Sequence, residues 1–163
     1  MTGLDSRNFL PGETTAKGDA AAAKTIDRNA FDEYIKRFNA RDYQGVLEFW
    51  AKHFTVSFAG YTFHGPEEFI GFYRFFHEYV GESLNIDEFI ANETLLAIEV
   101  RVHLQGKKEL TAAGLKEAGY ERLVVPPLGR TLEIPQFIHY HVAGGKFTSV
   151  VCALFAEPRL LPL

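Results

Sequence analysis

The sequence predicts an α+β domain in which helices come first and an antiparallel sheet follows. Apolar residues repeat at helical spacing up to about residue 80, and they alternate with polar residues, as in strands, from about residue 84 onward. The chain has 163 residues, which suits one domain and a short tail. We expect a flexible tail over residues 1–24, where Gly and Pro recur, and one domain over residues 25–163.

Three helices are predicted in the first half of the chain, each from a start signal followed by apolar residues at helical spacing. Asp27 or Asn29 can cap the first helix, and Asp42 can cap the second. Gly65-Pro66-Glu67-Glu68 begins the third, because proline loses no needed hydrogen bond there and the carboxylates oppose the positive end of the helix dipole. The apolar faces are, in order, Phe31, Tyr34, Ile35 and Phe38; Val46, Leu47 and Trp50; and Phe69, Ile70, Phe72, Tyr73, Phe76, Tyr79 and Val80.

Strand-like alternation follows these helices. A short strand is predicted around Val56 and Phe58, before the third helix, and Ala143-Gly144-Gly145 marks a hairpin near the end of the chain. The segment 106–129 is predicted to be an insertion with a short helix over 110–117, because it is too long for a simple hairpin loop; such loops are often functional lids. The main strands are predicted over 84–91, 94–105, 130–142 and 146–155.

The strand over 94–105 carries the ionisable residues of most interest. Glu99, Arg101 and His103 share one face, opposite a face of aliphatic residues. One interpretation is a sheet with a dry face and a wet face. The other is a sheet that curves around a pocket, in which Glu99 and Arg101 hold each other charged and His103, tuned near neutral pH, moves protons.

The next strand favours a cavity wall. Its apolar face is interrupted by Gln136 and Tyr140, whose polar atoms need partners if they are buried, and a ligand could supply them. His139 and His141 have strand spacing for two metal ligands, but no third ligand is visible, so no metal is predicted. Cys152 is interpreted as a packing residue of the last strand rather than as a nucleophile.

Composition excludes several classes of protein. The formal net charge of −4 argues against a nucleic-acid-binding surface. Cys152 is the only cysteine, so no intrachain disulfide is possible, and no apolar run approaches the ~20 residues of a membrane helix. The N-terminus lacks the apolar stretch of a signal peptide, and no Gly-rich phosphate loop suggests a nucleotide cofactor. We therefore expect a cytoplasmic protein with no cofactor and no nucleic-acid or membrane partner.

Aromatic residues are abundant for a chain of this size, with 15 Phe, 7 Tyr and 1 Trp. A small core needs few such side chains, so the surplus could line a cavity, although for any one of them ordinary core packing is the better explanation. The residues that would supply an aromatic lining are Phe58, Tyr61, Phe69, Phe72, Tyr73, Phe76 and Tyr140.

Several segments together resemble the nuclear transport factor two-like superfamily. They are 33–42 (EYIKRFNARD), 46–50 (VLEFW), 55–58 (TVSF) and 63–69 (FHGPEEF), with the strand from Gly129 and the hairpin at 145–147. The superfamily includes ketosteroid isomerases, SnoaL-like polyketide cyclases, scytalone dehydratase and limonene epoxide hydrolase. The resemblance covers about residues 27–157 and implies a cone, in which a strongly bent sheet wraps three helices around an apolar pocket.

The resemblance also implies roles for individual residues. Tyr34 stands where ketosteroid isomerases place their oxyanion-donating tyrosine, but Phe58 and Ile138 stand where those enzymes have their two acids. Their mechanism is therefore not expected here. Arg101 matches the arginine of limonene epoxide hydrolase, whereas His103 and Cys152 replace its two aspartates. His103 with Gln136 is most similar to the polar residues of scytalone dehydratase.

These observations predict a cofactor-independent acid–base enzyme, of lyase, isomerase or cyclase type, for a small hydrophobic aromatic or polycyclic molecule. His103 would transfer the proton, Glu99 would orient the His103 imidazole, and Arg101 and Tyr34 would stabilise negative charge on the substrate. Two alternatives stay open: a non-catalytic binding or carrier protein, and a dimeric assembly domain; a homodimer is compatible with all three. The substrate-binding candidates are Gln136, Tyr140, Phe58, Tyr61, Phe72, Phe76, Ile138 and Cys152.

Overall fold

Helices and strands follow one another in the order that the sequence predicts, helices mainly before strands. The structure, a computed structural model, describes residues 24–162, so the tail predicted over residues 1–24 lies, apart from Lys24, outside the described residues. The elements are α1 (Arg28–Asn39), α2 (Tyr43–Leu47), β1 (Trp50–Phe58), β2 (Tyr61–His64), α3 (Gly65–Tyr79), β3 (Val80–Ala91), β4 (Leu95–Gly106), α4 (Ala112–Glu117), β5 (Thr131–Ala143), β6 (Lys146–Leu154) and β7 (Arg159–Leu160).

The strands form one curved, unclosed sheet in the order β2-β1-β6-β5-β4-β3, with β7 paired to β5. All neighbouring strands are antiparallel except β1 and β6, which run parallel. The register of the β3–β4 pair shifts between Ile86 and Glu88, and that of the β5–β6 pair between His141 and Val142; such bulges bend a sheet. The predicted α+β class is confirmed.

Local sequence signals account for the two long helices. The Asp27 carboxylate accepts a hydrogen bond from the Ala30 backbone N–H at 2.8 Å and so caps α1, whose buried face is the predicted one. α3 begins at Gly65 with proline in its first turn, and the Glu68 carboxylate accepts from the His64 N–H at 2.6 Å. Both helices bury aromatic faces against the concave side of the sheet.

Element ends differ from the predictions where tertiary packing decides them. α2 ends at Leu47, and Trp50 starts β1, where it pairs with Phe147 of β6 and its indole packs on the Phe54 ring, 4.4 Å between centroids. Val80 starts β3 and pairs with Gly106 instead of ending α3. The short strands β2 and β7 were not predicted, since their few residues carry no clear alternation. In the described part of the chain, no helix is long and apolar enough to cross a membrane.

Candidate functional site

A cavity of about 330 Å³ lies between α1 and α3 on one side and the concave face of the sheet on the other. Most of its lining side chains are apolar and aromatic. A volume of this size is at the lower end of those that hold small-molecule ligands. The lining side chains that carry polar or charged groups are Tyr34, Tyr73, Glu82, Arg122, Gln136, Tyr140 and Cys152.

The expectation that Glu99, Arg101 and His103 point into this cavity is wrong. Their even-numbered neighbours on β4, from Leu96 to Leu104, are buried in the core. Because side chains alternate along a strand, the three ionisable residues lie on the convex face of the sheet. The structure therefore matches the interpretation of β4 as a strand with one dry and one wet face.

On that convex face Arg101 and His103 have partners of their own. The Arg101 Nε donates to the Asp87 carboxylate at 2.9 Å, and both side chains are exposed. The His103 Nε2 lies 3.0 Å from the Glu133 carboxylate, and its Nδ1 lies 3.2 Å from the Asn85 amide. None of these groups lines the cavity, so none is positioned to meet a ligand there.

The other predicted site residues are placed by their elements. Tyr61 does not line the cavity; its hydroxyl accepts a hydrogen bond from the Arg122 backbone N–H at 2.9 Å, so it holds the segment 107–130 in place. His139 and His141 are exposed on β5. Among residues 24–162, no three His, Cys, Asp or Glu side chains cluster as metal ligands would. Of the site residues predicted from the sequence, those that line the cavity are Tyr34, Phe58, Phe72, Phe76, Gln136, Ile138, Tyr140 and Cys152.

Sequence reasoning missed a buried pair at the junction of α3 and β3. The Glu82 carboxylate, which lines the cavity, lies 2.8 Å from His77 Nε2. The other ring nitrogen of His77, Nδ1, lies 2.9 Å from the Tyr43 hydroxyl. The side chains of His77 and Glu82 are 4% and 10% exposed. A carboxylate, an imidazole and a phenol thus form a chain that leads from the cavity toward the half-buried Tyr43.

The partners of His77 fix its tautomer. A carboxylate only accepts hydrogen bonds, so Nε2 carries the proton and donates to Glu82, and Nδ1 accepts from the Tyr43 hydroxyl. Burial lowers the pKa of His77, against the opposing effect of Glu82. The imidazole is therefore neutral at neutral pH, and it orients the carboxylate without neutralising its charge.

The polar groups deeper in the cavity remain protonated. Burial raises the pKa of the Tyr34, Tyr73 and Tyr140 hydroxyls well above the ordinary value, and it raises the pKa of the Cys152 thiol to about 12. Neutral hydroxyls are hydrogen-bond donors, so these phenols can stabilise negative charge on a ligand oxygen. Cys152 is not a thiolate at neutral pH and is a poor nucleophile there.

Two spacing signals in the sequence point to this pair. His77 follows Phe69 by eight residues and Tyr73 by four, so it lies on the buried face of α3. Glu82 is two residues from both Val80 and Leu84, so it shares their face, the concave face of β3. A prediction that began β3 at residue 84 left this carboxylate outside the strand and missed both signals.

Comparison with known proteins shows where this architecture recurs. The family model of the SnoaL-like domain matches residues 31–150. No curated protein sequence matches the chain significantly.

Solved structures of low sequence identity share the fold. A candidate polyketide cyclase from Xanthomonas campestris pv. campestris is 23% identical, with 75% of this chain and 84% of that chain covered and a TM-score of 0.60. The Rv0760c protein of Mycobacterium tuberculosis, in complex with estradiol-17beta-hemisuccinate, is 15% identical, with coverages of 82% and 95% and a TM-score of 0.59.

A third structure, an epoxide hydrolase of the LEH-like type from Mycobacterium tuberculosis, is 12% identical, with coverages of 77% and 80% and a TM-score of 0.56. At such identities the likeness establishes the fold and not the reaction. The family model, by contrast, spans most of the chain and matches the helices and the sheet that enclose the cavity. The chain therefore belongs to the SnoaL-like domain family.

Proposed function

We propose that this protein is a cofactor-independent acid–base enzyme for a small hydrophobic molecule with an aromatic or polycyclic skeleton. One observation carries the proposal: the Glu82 carboxylate lies in the wall of an otherwise mainly apolar cavity, where His77 orients it. The general base is thus Glu82 and not His103, which lies on the opposite face of the sheet. A carboxylate in such a wall can act as a general base toward a ligand that is held against it.

The proposed chemistry begins with proton abstraction. Glu82 Oε2 is the atom bonded to His77, and Oε1 accepts no hydrogen bond from residues 24–162. Oε1 is therefore free to take a proton from a substrate carbon next to a carbonyl group. The electron pair of the broken C–H bond forms a C=C bond, the π electrons of the carbonyl group move to its oxygen, and the carboxylate becomes a carboxylic acid.

The phenols would stabilise the resulting enolate. The Tyr34 and Tyr140 rings lie 6.0 Å apart on the cavity wall, and both hydroxyls are protonated. Hydrogen bonds to a developing oxyanion are worth most where water is excluded. Gln136, which makes no side-chain hydrogen bond to the described residues, can orient the substrate. The Glu82 acid then returns its proton to another carbon, which completes an isomerisation, or to a leaving hydroxyl, which completes a dehydration.

A general test of the base needs no natural substrate. 5-Nitrobenzisoxazole opens to a coloured cyanonitrophenolate when a base removes its ring C–H proton and the N–O bond breaks. We expect the protein to accelerate this reaction above the buffer rate, and we expect Glu82→Gln to lower the rate about 100-fold or more. Glu99→Gln, the matched change on the convex face, should leave the rate unchanged.

Two results of this rate measurement would contradict the role of Glu82. A wild-type rate in Glu82→Gln would remove this carboxylate from the mechanism. Equal losses in Glu82→Gln and Glu99→Gln would show that the effect is one of net charge or folding. Circular dichroism and a thermal unfolding curve of each variant confirm that the folded protein is being compared.

A non-catalytic binding protein is the second candidate. The mainly apolar lining favours it, and so does the complex of the Rv0760c protein with a steroid ester, which shows a polycyclic molecule bound to a protein of this fold. Tight binding of a hydrophobic ligand without turnover of that ligand or of the base probe would decide for this function.

Pairing of two copies is proposed for the convex face of the sheet. Phe137 and Phe155 stack there with 4.8 Å between ring centroids, and Val151 beside them is half exposed. Exposed apolar patches of this kind mark interaction surfaces. A homodimer through β5 and β6 would cover these side chains, and sedimentation velocity of the purified protein measures its mass directly.

A further inference from the structure

The segment 107–130 contributes an exposed arginine, Arg122, to the lining of the cavity. Arg122 and Glu82 are the charged residues among the described side chains that line it. Glu82 has a partner in His77, whereas the Arg122 guanidinium forms no ion pair with any acidic residue in 24–162. The acidic groups of residues 24–162 therefore leave this cation available to a ligand.

Contacts with the β1–β2 turn hold Arg122 in place. Its Nη1 donates to the Gly60 carbonyl at 3.0 Å, and its guanidinium carbon lies 5.1 Å from the centroid of the Tyr61 ring. Its backbone N–H donates to the Tyr61 hydroxyl. Position 60 has a φ of +79°, and a Cβ there would lie 2.8 Å from Nη1, so glycine permits this close approach.

The guanidinium keeps unused donors in this position. Gly60 occupies Nη1, while Nε and Nη2 donate to no described residue. A carboxylate or sulfonate matches this geometry, because its oxygens can accept two parallel N–H bonds from a guanidinium. An anchored side chain also loses less entropy on binding than a free one, since its rotamer is already restricted.

We propose that Arg122 binds an anionic group of the ligand, so that the preferred ligand is an apolar ring system with one carboxylate or similar monoanion. This inference rests on the proposed function only in requiring that the cavity holds a ligand. The two charges also set the orientation. Glu82 repels an anion, so the anionic end lies at Arg122 and the uncharged end of the molecule lies toward Glu82 and the phenols.

Two fluorescent probes distinguish the contribution of an anionic group to binding from that of the apolar rings. 1-Anilinonaphthalene-8-sulfonate and N-phenyl-1-naphthylamine share one ring skeleton and differ in the sulfonate. We expect Arg122→Gln to weaken binding of the sulfonate probe roughly tenfold or more, because a hydrogen-bonded charge is lost, and to leave binding of the neutral probe unchanged. Arg101→Gln, an exposed arginine on the convex face, is the matched control and should change neither affinity.

The outcomes distinguish this inference from the proposed function. An equal loss for both probes in Arg122→Gln would mean that the arginine only secures the 107–130 segment, and would overturn the inference. An unchanged affinity of Arg122→Gln for the sulfonate probe would overturn it too. If the neutral probe still binds in that case, the cavity remains a ligand site and the proposed function is unaffected. If neither probe binds the wild-type protein, the cavity is not a ligand site and both proposals fail.

Discussion

Two His–Glu pairs lie on opposite faces of the same sheet and have nearly the same geometry. His77 and Glu82 are 2.8 Å apart on the concave side, and His103 and Glu133 are 3.0 Å apart on the convex side. His77 is 4% exposed, whereas His103 is 33% exposed. The two carboxylates are similarly buried, with side chains 10% exposed for Glu82 and 8% for Glu133. Residue type, distance and carboxylate burial therefore do not distinguish the two pairs; the surroundings of the imidazole and access to the cavity do.

The neighbours of each pair define the difference. Glu82 faces a cavity with a free carboxylate oxygen, and His77 behind it is kept neutral by burial. The convex-side Glu133 carboxylate is shared: His103 contacts one oxygen, and Arg159 of β7 donates to the other at 2.9 Å. Hydrogen bonds from these two side chains lower the pKa of Glu133. The convex pair holds the short strand β7 against β5 through Arg159, whereas the concave pair places a carboxylate in the cavity wall.

The largest contrast between the two faces is expected in stability. Phe147 on β6 is fully buried beneath α1, and Phe155 beyond the end of β6 is 38% exposed. Phe147→Ala should lower the free energy of unfolding by about 3–5 kcal/mol, because it removes a buried ring and leaves a void, and Phe155→Ala by about 1 kcal/mol or less. Urea unfolding measures both values. Similar losses would contradict the placement of the core on the concave side.

The concave pair should also give the protein a specific pH dependence. Because the folded-state pKa of His77 lies below its ordinary value of 6.5, the unfolded chain binds a proton first as the pH falls. The free energy of unfolding should therefore decrease as the pH drops below about 6.5, and His77→Gln should reduce this decrease. Urea unfolding between pH 8 and pH 5.5 measures it.

Measurements at pH 8 provide the reference for that comparison. There the imidazole is neutral in both the folded and the unfolded chain, so any difference between wild type and His77→Gln reports lost packing and hydrogen bonds only. Parallel stability curves for the two proteins across the whole range would show that burial of His77 is not linked to protonation.

The smallest effect on stability is expected on the convex face. Phe137→Lys places a charge where the ring is already 43% exposed, so we expect the unfolding free energy of the monomer to change by no more than about 1 kcal/mol. If two copies pair through this face, the same change should convert the dimer to a monomer in sedimentation velocity. A dimer that survives Phe137→Lys would place the contact elsewhere.

The parts of the fold that the sequence predicts correctly are those set by local signals. Asp27 and Pro66 begin helices where these residue types usually do, and the alternation along β4 and β5 fixes which residues share a face. The aliphatic side of β4 is the side that packs on the helices, as burial of apolar area requires. The hypothesis that Glu99, Arg101 and His103 face the cavity would have exposed that aliphatic side, and the structure corrects it.

By itself, the sequence determined the class of the fold, its main elements and most of the cavity wall, because these depend on capping, periodicity and apolar area. Tertiary structure alone decided that Glu82, with His77 behind it, faces the cavity, and that Arg122 lines the same cavity from a distant segment. Glu82 and Arg122 line one cavity only when β3 and the 107–130 segment are brought together. The spacing along α3 and β3 assigns His77 and Glu82 to buried faces, but the path of the chain decides which groups share the cavity.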